Sequence, residues 1–262
     1  MKSFSIASGK GGVGKTSFVV NLAYALSQLK QKVLIFDADL GLANVDIMLG
    51  LTPKYDIRYV LNGTLTLKEI ILETEYGFSV IPAGSGVFEL TQLSTEQKLL
   101  LRAQMEETFS NYDYLFFDIA AGISDNVLFF SQLADERIVL VTPEPTSMAD
   151  AYAYLKVLFQ KGKVRDFHIV VNMIKDEREG KKIYSQLQYV TERFLPGLRL
   201  IYLGCLPYDE CVKRAIKLQI PYLKYCDDAK VSTALKEIAY KLLNYKGIGK
   251  NLEFFLERFT KL

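Results

Sequence analysis

Eight consecutive residues, Gly9, Lys10, Gly11, Gly12, Val13, Gly14, Lys15 and Thr16, concentrate the chemistry legible in this chain. Their spacing fits G-x-x-x-x-G-K-[ST], in which glycines let backbone N–H groups turn inward around phosphate oxygens with no Cβ in the way. An apolar run, "FSIAS" (4–8), precedes the loop and a helical pattern (16–30) follows it. The loop therefore joins a strand to a helix N-terminus, whose partial positive charge favours anions. Lys15 is placed to reach the outer phosphate oxygens, Thr16 to offer its hydroxyl to a divalent cation, and Ser17 continues the same first helical turn. One lysine suffices for such a loop. Lys10, between two glycines, is a second cation that the phosphate cradle alone does not require.

Carboxylates stand at the ends of two further apolar runs, Asp37 and Asp39 in "KVLIFDAD" (32–39) and Asp118 in "YLFFDIAAG" (114–122). Asp118 is the expected partner of Thr16 in holding Mg²⁺, through water. Asp39 is the expected residue for ordering a water for in-line attack. Asp37, two residues earlier on the same strand face, is expected to support the magnesium shell; either acid could instead cap a turn or helix. Asn172, near the end of "HIVVNMI" (168–174), offers both donor and acceptor to an adenine edge. The set implies ATP and Mg²⁺ as ligands, with ATP and water giving ADP and phosphate.

The elements that must position these residues are visible as apolar runs separated by helical patterns. Strands are expected at 4–8, 32–39, 78–84, 114–122, 137–145, 168–174 and 198–207, and helices at 16–30, 94–109, 124–134, 146–161, 177–194 and 227–245. The runs are mostly continuously apolar, as strands covered on both faces are. The alternation predicts one α/β domain built on a doubly wound, mostly parallel sheet flanked by helices, with ligands beyond the carboxyl ends of its strands. At 262 residues, half of them hydrophobic, the chain can bury such a core. A net charge of +2 and the absence of aromatic–basic interleaving argue against nucleic acid as a partner. Three cysteines with no C-x-x-C pair argue against a disulfide framework or a metal–thiolate site and suggest a reducing cytoplasm. The sole histidine, His168, starts a strand away from these motifs and is expected to pack. The N-terminus has no signal-peptide pattern, and no apolar run is long enough to span a bilayer.

"GKGGVGKT" resembles the deviant Walker A motif of the MinD/ParA family of P-loop ATPases, which is marked by the additional lysine. "DADLGLANVDIMLGL" (37–51) is similar to that family's first switch, "DIAAGISD" (118–125) to its second, and "LPYDECVKRA" (206–215) to its adenine-holding loop, which implies base contacts from Pro207, Tyr208 and Asp209. The resemblance implies that Lys10 crosses an interface to the phosphates of a second subunit, so that hydrolysis is weak until ATP-dependent homodimerisation and a partner stimulate it. It also implies Glu144 and Asp150 near that interface. "TPEPTSMADAYAYLKVL" (142–158) and "AAGISDNVLFFSQLADE" (120–136) look most like the flagellar-number regulators of the FlhG/FleN subgroup. That subgroup implies control of flagellar placement or number, with an FlhF-like GTPase or a flagellar component as partner. Its D-Q-A-x-x-L-R-like N-terminal motif does not precede the first strand here. Division-site MinD with MinC and MinE is the alternative, followed by DNA-partitioning ParA and, lacking the usual C-x-x-C, an iron–sulfur carrier.

The last residues carry Leu252, Phe255, Leu256, Phe259 and Leu262 on one helical face, flanked by Lys250, Arg258 and Lys261. The expected organisation is an ATPase domain over 1–245 and, over 246–262, a hinge at "KGIG" with an amphipathic helix. That helix either packs on its own domain or, as the resemblance implies, binds membrane lipid. A cytoplasmic protein, peripheral on the inner face of the cell membrane when ATP-bound, is the expected localisation.

Overall fold

The computed structural model describes residues 1–84 and 92–245. Eight strands form one sheet: β1 (Lys2–Ala7), β2 (Val33–Ala38), β3 (Leu72–Glu73), β4 (Ser79–Ile81), β5 (Tyr114–Ile119), β6 (Glu136–Val141), β7 (Asp166–Ile174) and β8 (Arg199–Pro207). Their order is β3-β4-β2-β5-β1-β6-β7-β8, and only the β3–β4 pair is antiparallel. The chain winds outward from β1 on one side, returns through β5, then continues through β6 to the other side. The reversal places a crevice at the carboxyl end of β1, where the phosphate loop begins.

Alternate residues of each strand feed two separate cores, because successive side chains point to opposite faces. Phe4, Ile35, Phe116 and Ile138 face one layer, made by α1 (Lys15–Gln28), α10 (Lys230–Asn244) and the short α8 (Glu210–Lys217) and α9 (Tyr222–Tyr225). Phe36, Phe117, Val139 and Ile169 face the other, made by α3 (Ile57–Leu61), α4 (Thr95–Phe109), α5 (Asp125–Leu133), α6 (Pro145–Gly162) and α7 (Glu177–Phe194). Burial on both faces explains why the strands read as unbroken apolar runs. The helices start where capping chemistry allows: Ser94 and Gln97 form a reciprocal capping box before α4, and Ser124 and Asp176 accept from backbone N–H groups of α5 and α7.

All seven expected strands and all six expected helices are present, with three differences. β6 stops at Val141 and the chain enters α6 at Pro145, which suits the first helical position. The segment 206–215, expected as a loop, is helical from Glu210 because Asp209 caps it. A four-residue α2 (Val45–Met48), α3, α9 and the antiparallel edge strand β3 were too short to leave a periodic signal. His168 is buried at the start of β7, its Nε2 3.3 Å from Glu136 Oε2, at the end of the sheet away from the phosphate loop. The hinge and amphipathic face expected over 246–262 lie outside the described residues, and among those described no helix is long and apolar enough to cross a membrane.

Phe117 is fully buried, its ring 5.7 Å from that of Phe36 and 5.9 Å from that of Phe130. Phe117→Ala is expected to cost about 3–5 kcal/mol in urea unfolding; a loss below ~1 kcal/mol would show that this layer is not the tight core described.

Candidate functional site

The loop between β1 and α1 is shaped by two close approaches. Gly14, the N-cap of α1, has φ 89°, and a Cβ there would lie 2.6 Å from Asn172 Nδ2. A Cβ on Gly9 would lie 2.1 Å from the Asp150 backbone in α6. Only glycine satisfies both the left-handed turn and the packing. Asn172 Nδ2 donates to Val13 O at 2.8 Å, and Ser8 Oγ donates to Lys10 O at 2.7 Å, so the loop is tied to β7 at one point and to its own strand at another. The Gly122 N–H donates to Ser8 O at 3.1 Å, joining the segment after β5 to the same strand end.

Asp37 and Asp118 are register partners across β2 and β5, and each is only 1% exposed. Burial, then the proximity of Asp118, pushes the Asp37 carboxyl up, against three backbone N–H groups that hold it down. Its Oδ1 accepts from Asp39 N at 3.1 Å, and its Oδ2 from Asn44 N at 3.0 Å and Val45 N at 3.1 Å. These contacts gather the backbone of 39–45 and the start of α2, as a turn cap does. Asp118 differs. Neither of its oxygens has a hydrogen-bond partner among the described residues. Burial pushes its carboxyl up to about 6, while Thr16 and Lys15 draw it down and Asp39 adds to the rise. Asp39 is half-buried and likewise raised by burial, with Lys15 opposing.

A cavity of about 120 Å³ adjoins the loop, walled by Gly14, Ser17, Asn172, Pro207, Tyr208 and Asp209. These expected nucleotide-binding positions, distant in sequence, thus share one wall. Asn172 Oδ1 accepts from Met173 N at 2.9 Å in addition to the bond its amide makes to Val13, and Asp209 Oδ1 accepts from Cys211 N at 2.9 Å. An amide keeps a second donor and a second lone pair for a base edge. Met173, Val212, Ile216 and Tyr222, which sequence reasoning missed, are among the other residues that line the cavity. The apolar spacing of Val212 and Ile216 at i, i+4 was the available signal.

The family model for ParA, described as NUBPL iron-transfer P-loop NTPase, matches residues 1–243. The antiactivator FleN of Pseudomonas aeruginosa is 40% identical over 98% of this chain and 92% of its own length. The chain belongs to the ParA/MinD family of P-loop NTPases. Another relative, the flagellum site-determining protein YlxH of Helicobacter pylori, is 33% identical over 99% of this chain and 90% of its own. The septum site-determining protein MinD of Pyrococcus horikoshii, solved with Mg-ADP, superposes with a TM-score of 0.79 at 23% identity, covering 95% of this chain and 99% of its own; this likeness shows the fold.

For a ParA/MinD protein the notable position is Lys10. Its ammonium forms an ion pair with Glu144, the N-cap of α6, and donates to Thr146 Oγ1 at 3.2 Å. Side chains of both members of the pair are exposed, at 39% and 60%, so the ammonium sits at the mouth of the loop rather than in it. Glu144 and Asp150 both adjoin the loop, Glu144 through this pair and Asp150 through its backbone at Gly9. The donor set fits a hard divalent cation: the buried Asp118 oxygens make no hydrogen bond of strict geometry, Thr16 and Lys15 are close enough for both to draw the carboxyl down, and oxygen donors are what Mg²⁺ takes.

A carboxylate raised from 3.8 to about 6 on folding destabilises the protein above pH 6, and the penalty fades as the pH falls toward 3.8. Asp118→Asn is therefore expected to stabilise the nucleotide-free protein at pH 7 by up to ~3 kcal/mol and by less at pH 5, while abolishing Mg²⁺-dependent nucleotide binding. Urea unfolding at the two pH values checks the first claim, and destabilisation at pH 7 would refute it.

Proposed function

We propose that this chain is a regulatory ATPase that dimerises with ATP, associates with the membrane and sets the site or number of flagella. The observation that carries the reading is the 40% identity to antiactivator FleN across 98% of the chain, joined by the flagellum site-determining relative. Septum site-determining relatives match less closely, the putative MinD of Emiliania huxleyi being 32% identical over 86% of this chain, and they support the division-site alternative. Within one subunit, the loop glycines and the α1 N-terminus bind the phosphates, Lys15 compensates their charge, and the cavity at Asn172 and Pro207–Asp209 takes the adenine. Thr16 and Asp118 hold Mg²⁺, which neutralises charge on the phosphate oxygens when bound. Asp39 accepts a hydrogen bond from the attacking water and orients it toward the terminal phosphoryl group.

Lys10 is the residue that makes hydrolysis a property of two subunits. Released from Glu144, it extends across the dimer interface to the nucleotide of the second subunit, where charge develops on the transferred group. Glu144 and Asp150 belong to that interface. A flagellar component or an FlhF-like GTPase reads the closed dimer, and MinC or MinE would do so under the division-site alternative. The protein is cytoplasmic and becomes peripheral on the membrane through Leu252, Phe255, Leu256, Phe259 and Leu262. One such helix is a weak anchor, and two on a dimer gain avidity of about 10²–10⁴ because the second insertion is intramolecular.

Lys10→Ala is expected to leave nucleotide affinity largely unchanged while hydrolysis falls at least about 10²-fold and the ATP-dependent dimer disappears in size-exclusion chromatography. Full turnover by a monomeric Lys10→Ala protein would remove the two-subunit mechanism. Deleting residues 250–262 is expected to abolish ATP-dependent sedimentation with anionic liposomes without loss of ATP binding; if the truncated protein still sediments, the tail is not the anchor.

A further inference from the structure

The cysteine count argues against a disulfide framework, yet the structure joins one pair: Cys211 and Cys226 are bonded, with Cα atoms 6.5 Å apart. They lie 15 positions apart in sequence, and the reversal of direction between α8 and α9 brings them together. That helical hairpin forms one side of the base cavity, with Val212 and Ile216 from α8 and Tyr222 from α9. The hairpin also touches the rest of the site at two points. Gln219, between the helices, donates to Ile47 O in α2 at 2.7 Å, and Leu223 N donates at 2.9 Å to the buried Asn21 Oδ1 of α1, the helix that follows the phosphate loop. A covalent tie within the hairpin thus bears on the base wall, on the phosphate-loop helix and on the first switch together.

Three observations suit this bond to forming and breaking in the folded protein. Neither cysteine is fully buried, so a small thiol or disulfide can reach the pair. Cys226 Sγ lies 3.2 Å from Tyr222 O, so a thiol at that position has an acceptor waiting and the reduced state leaves no stranded donor. Cys205, the remaining cysteine, stands apart on β8, where burial raises its thiol pKa and keeps it from competing as a nucleophile.

We propose that Cys211 and Cys226 are a reversible dithiol–disulfide switch that governs how fast nucleotide leaves the site, with the oxidised form holding it longer. The proposal rests on the reading of the cavity as the base site. A low-molecular-weight disulfide such as glutathione disulfide is the oxidant. One cysteine thiolate attacks it, forming a mixed disulfide and expelling one glutathione thiolate. The second cysteine thiolate then attacks the protein sulfur of that bond and expels the other. The two protein sulfurs lose two electrons, the oxidant gains them, and the two protons given up by the cysteines end on the departing glutathiones. Oxidation restricts the hairpin motion by which a base escapes, so its effect falls on release more than on capture.

The test compares full-length protein equilibrated with glutathione disulfide or with dithiothreitol. Thiol titration after denaturation should count one free cysteine in the oxidised sample and three in the reduced one. A fluorescent ADP analogue, chased with excess ADP in stopped flow, should leave the oxidised form about tenfold more slowly. Cys211→Ser and Cys226→Ser should each release at the reduced wild-type rate under both treatments. Equal release from the two wild-type forms, or three titratable thiols after oxidation, would overturn the switch while leaving the nucleotide site intact. A chain that binds the analogue in neither form would overturn the base-site reading and the switch with it.

Discussion

Two buried carboxylates side by side at the ends of neighbouring parallel strands are an unfavourable arrangement, and the site is organised around relieving it. Asp37 and Asp118 face each other in register across β2 and β5, where water is excluded and like charges repel. Asp37 is relieved by backbone: three N–H groups from residues 39, 44 and 45 converge on it, and in doing so they fix the path of the first switch and start α2. Asp118 has the Thr16 hydroxyl and the Lys15 ammonium nearby to draw it down, and no hydrogen bond of strict geometry among the described residues. Nearly the same sheet position therefore gives two environments. One acid commits three lone pairs to local structure, and the other keeps its own open, as the proposed cation site requires. Such unrelieved burial is tolerated where binding a ligand later supplies the missing charge.

This division explains what could and could not be read from the chain. The phosphate loop was legible because its chemistry is local: glycines, Lys15 and Thr16 act within eight residues, and a strand and a helix flank them. The strands were legible because burial on both faces makes each an unbroken apolar run. Asp37 was legible as an acid at a strand end, but its role depends on where the backbone seven and eight residues later returns, which no pattern encodes. Asn172 offered a donor and an acceptor in the sequence, yet the partner of its amide, Val13, is 159 residues away. The disulfide was invisible for a related reason: the sequence shows the separation of Cys211 and Cys226 but not the hairpin that cancels it. Local chemistry is written in the sequence, and long-range partners are written only in the topology.

The loop is also a hub of connections within the chain. Asn172 links it to β7 and the base wall, Gly122 links the second switch to the strand beneath it, and Lys10 links it to the start of α6. Gln219 closes a circuit by joining the base-wall hairpin to α2 of the first switch. A base or a phosphate that moves any one of these segments meets the others through direct polar contacts. The exposed Lys10–Glu144 pair is the weakest link in this circuit, because surface ion pairs contribute ~0–1 kcal/mol and are screened by salt. A contact that weak is suited to being exchanged for a better anion. Phosphates carry more charge than one carboxylate, so under the proposed two-subunit mechanism the lysine parked on α6 has a favourable reason to leave it for the nucleotide of a second chain.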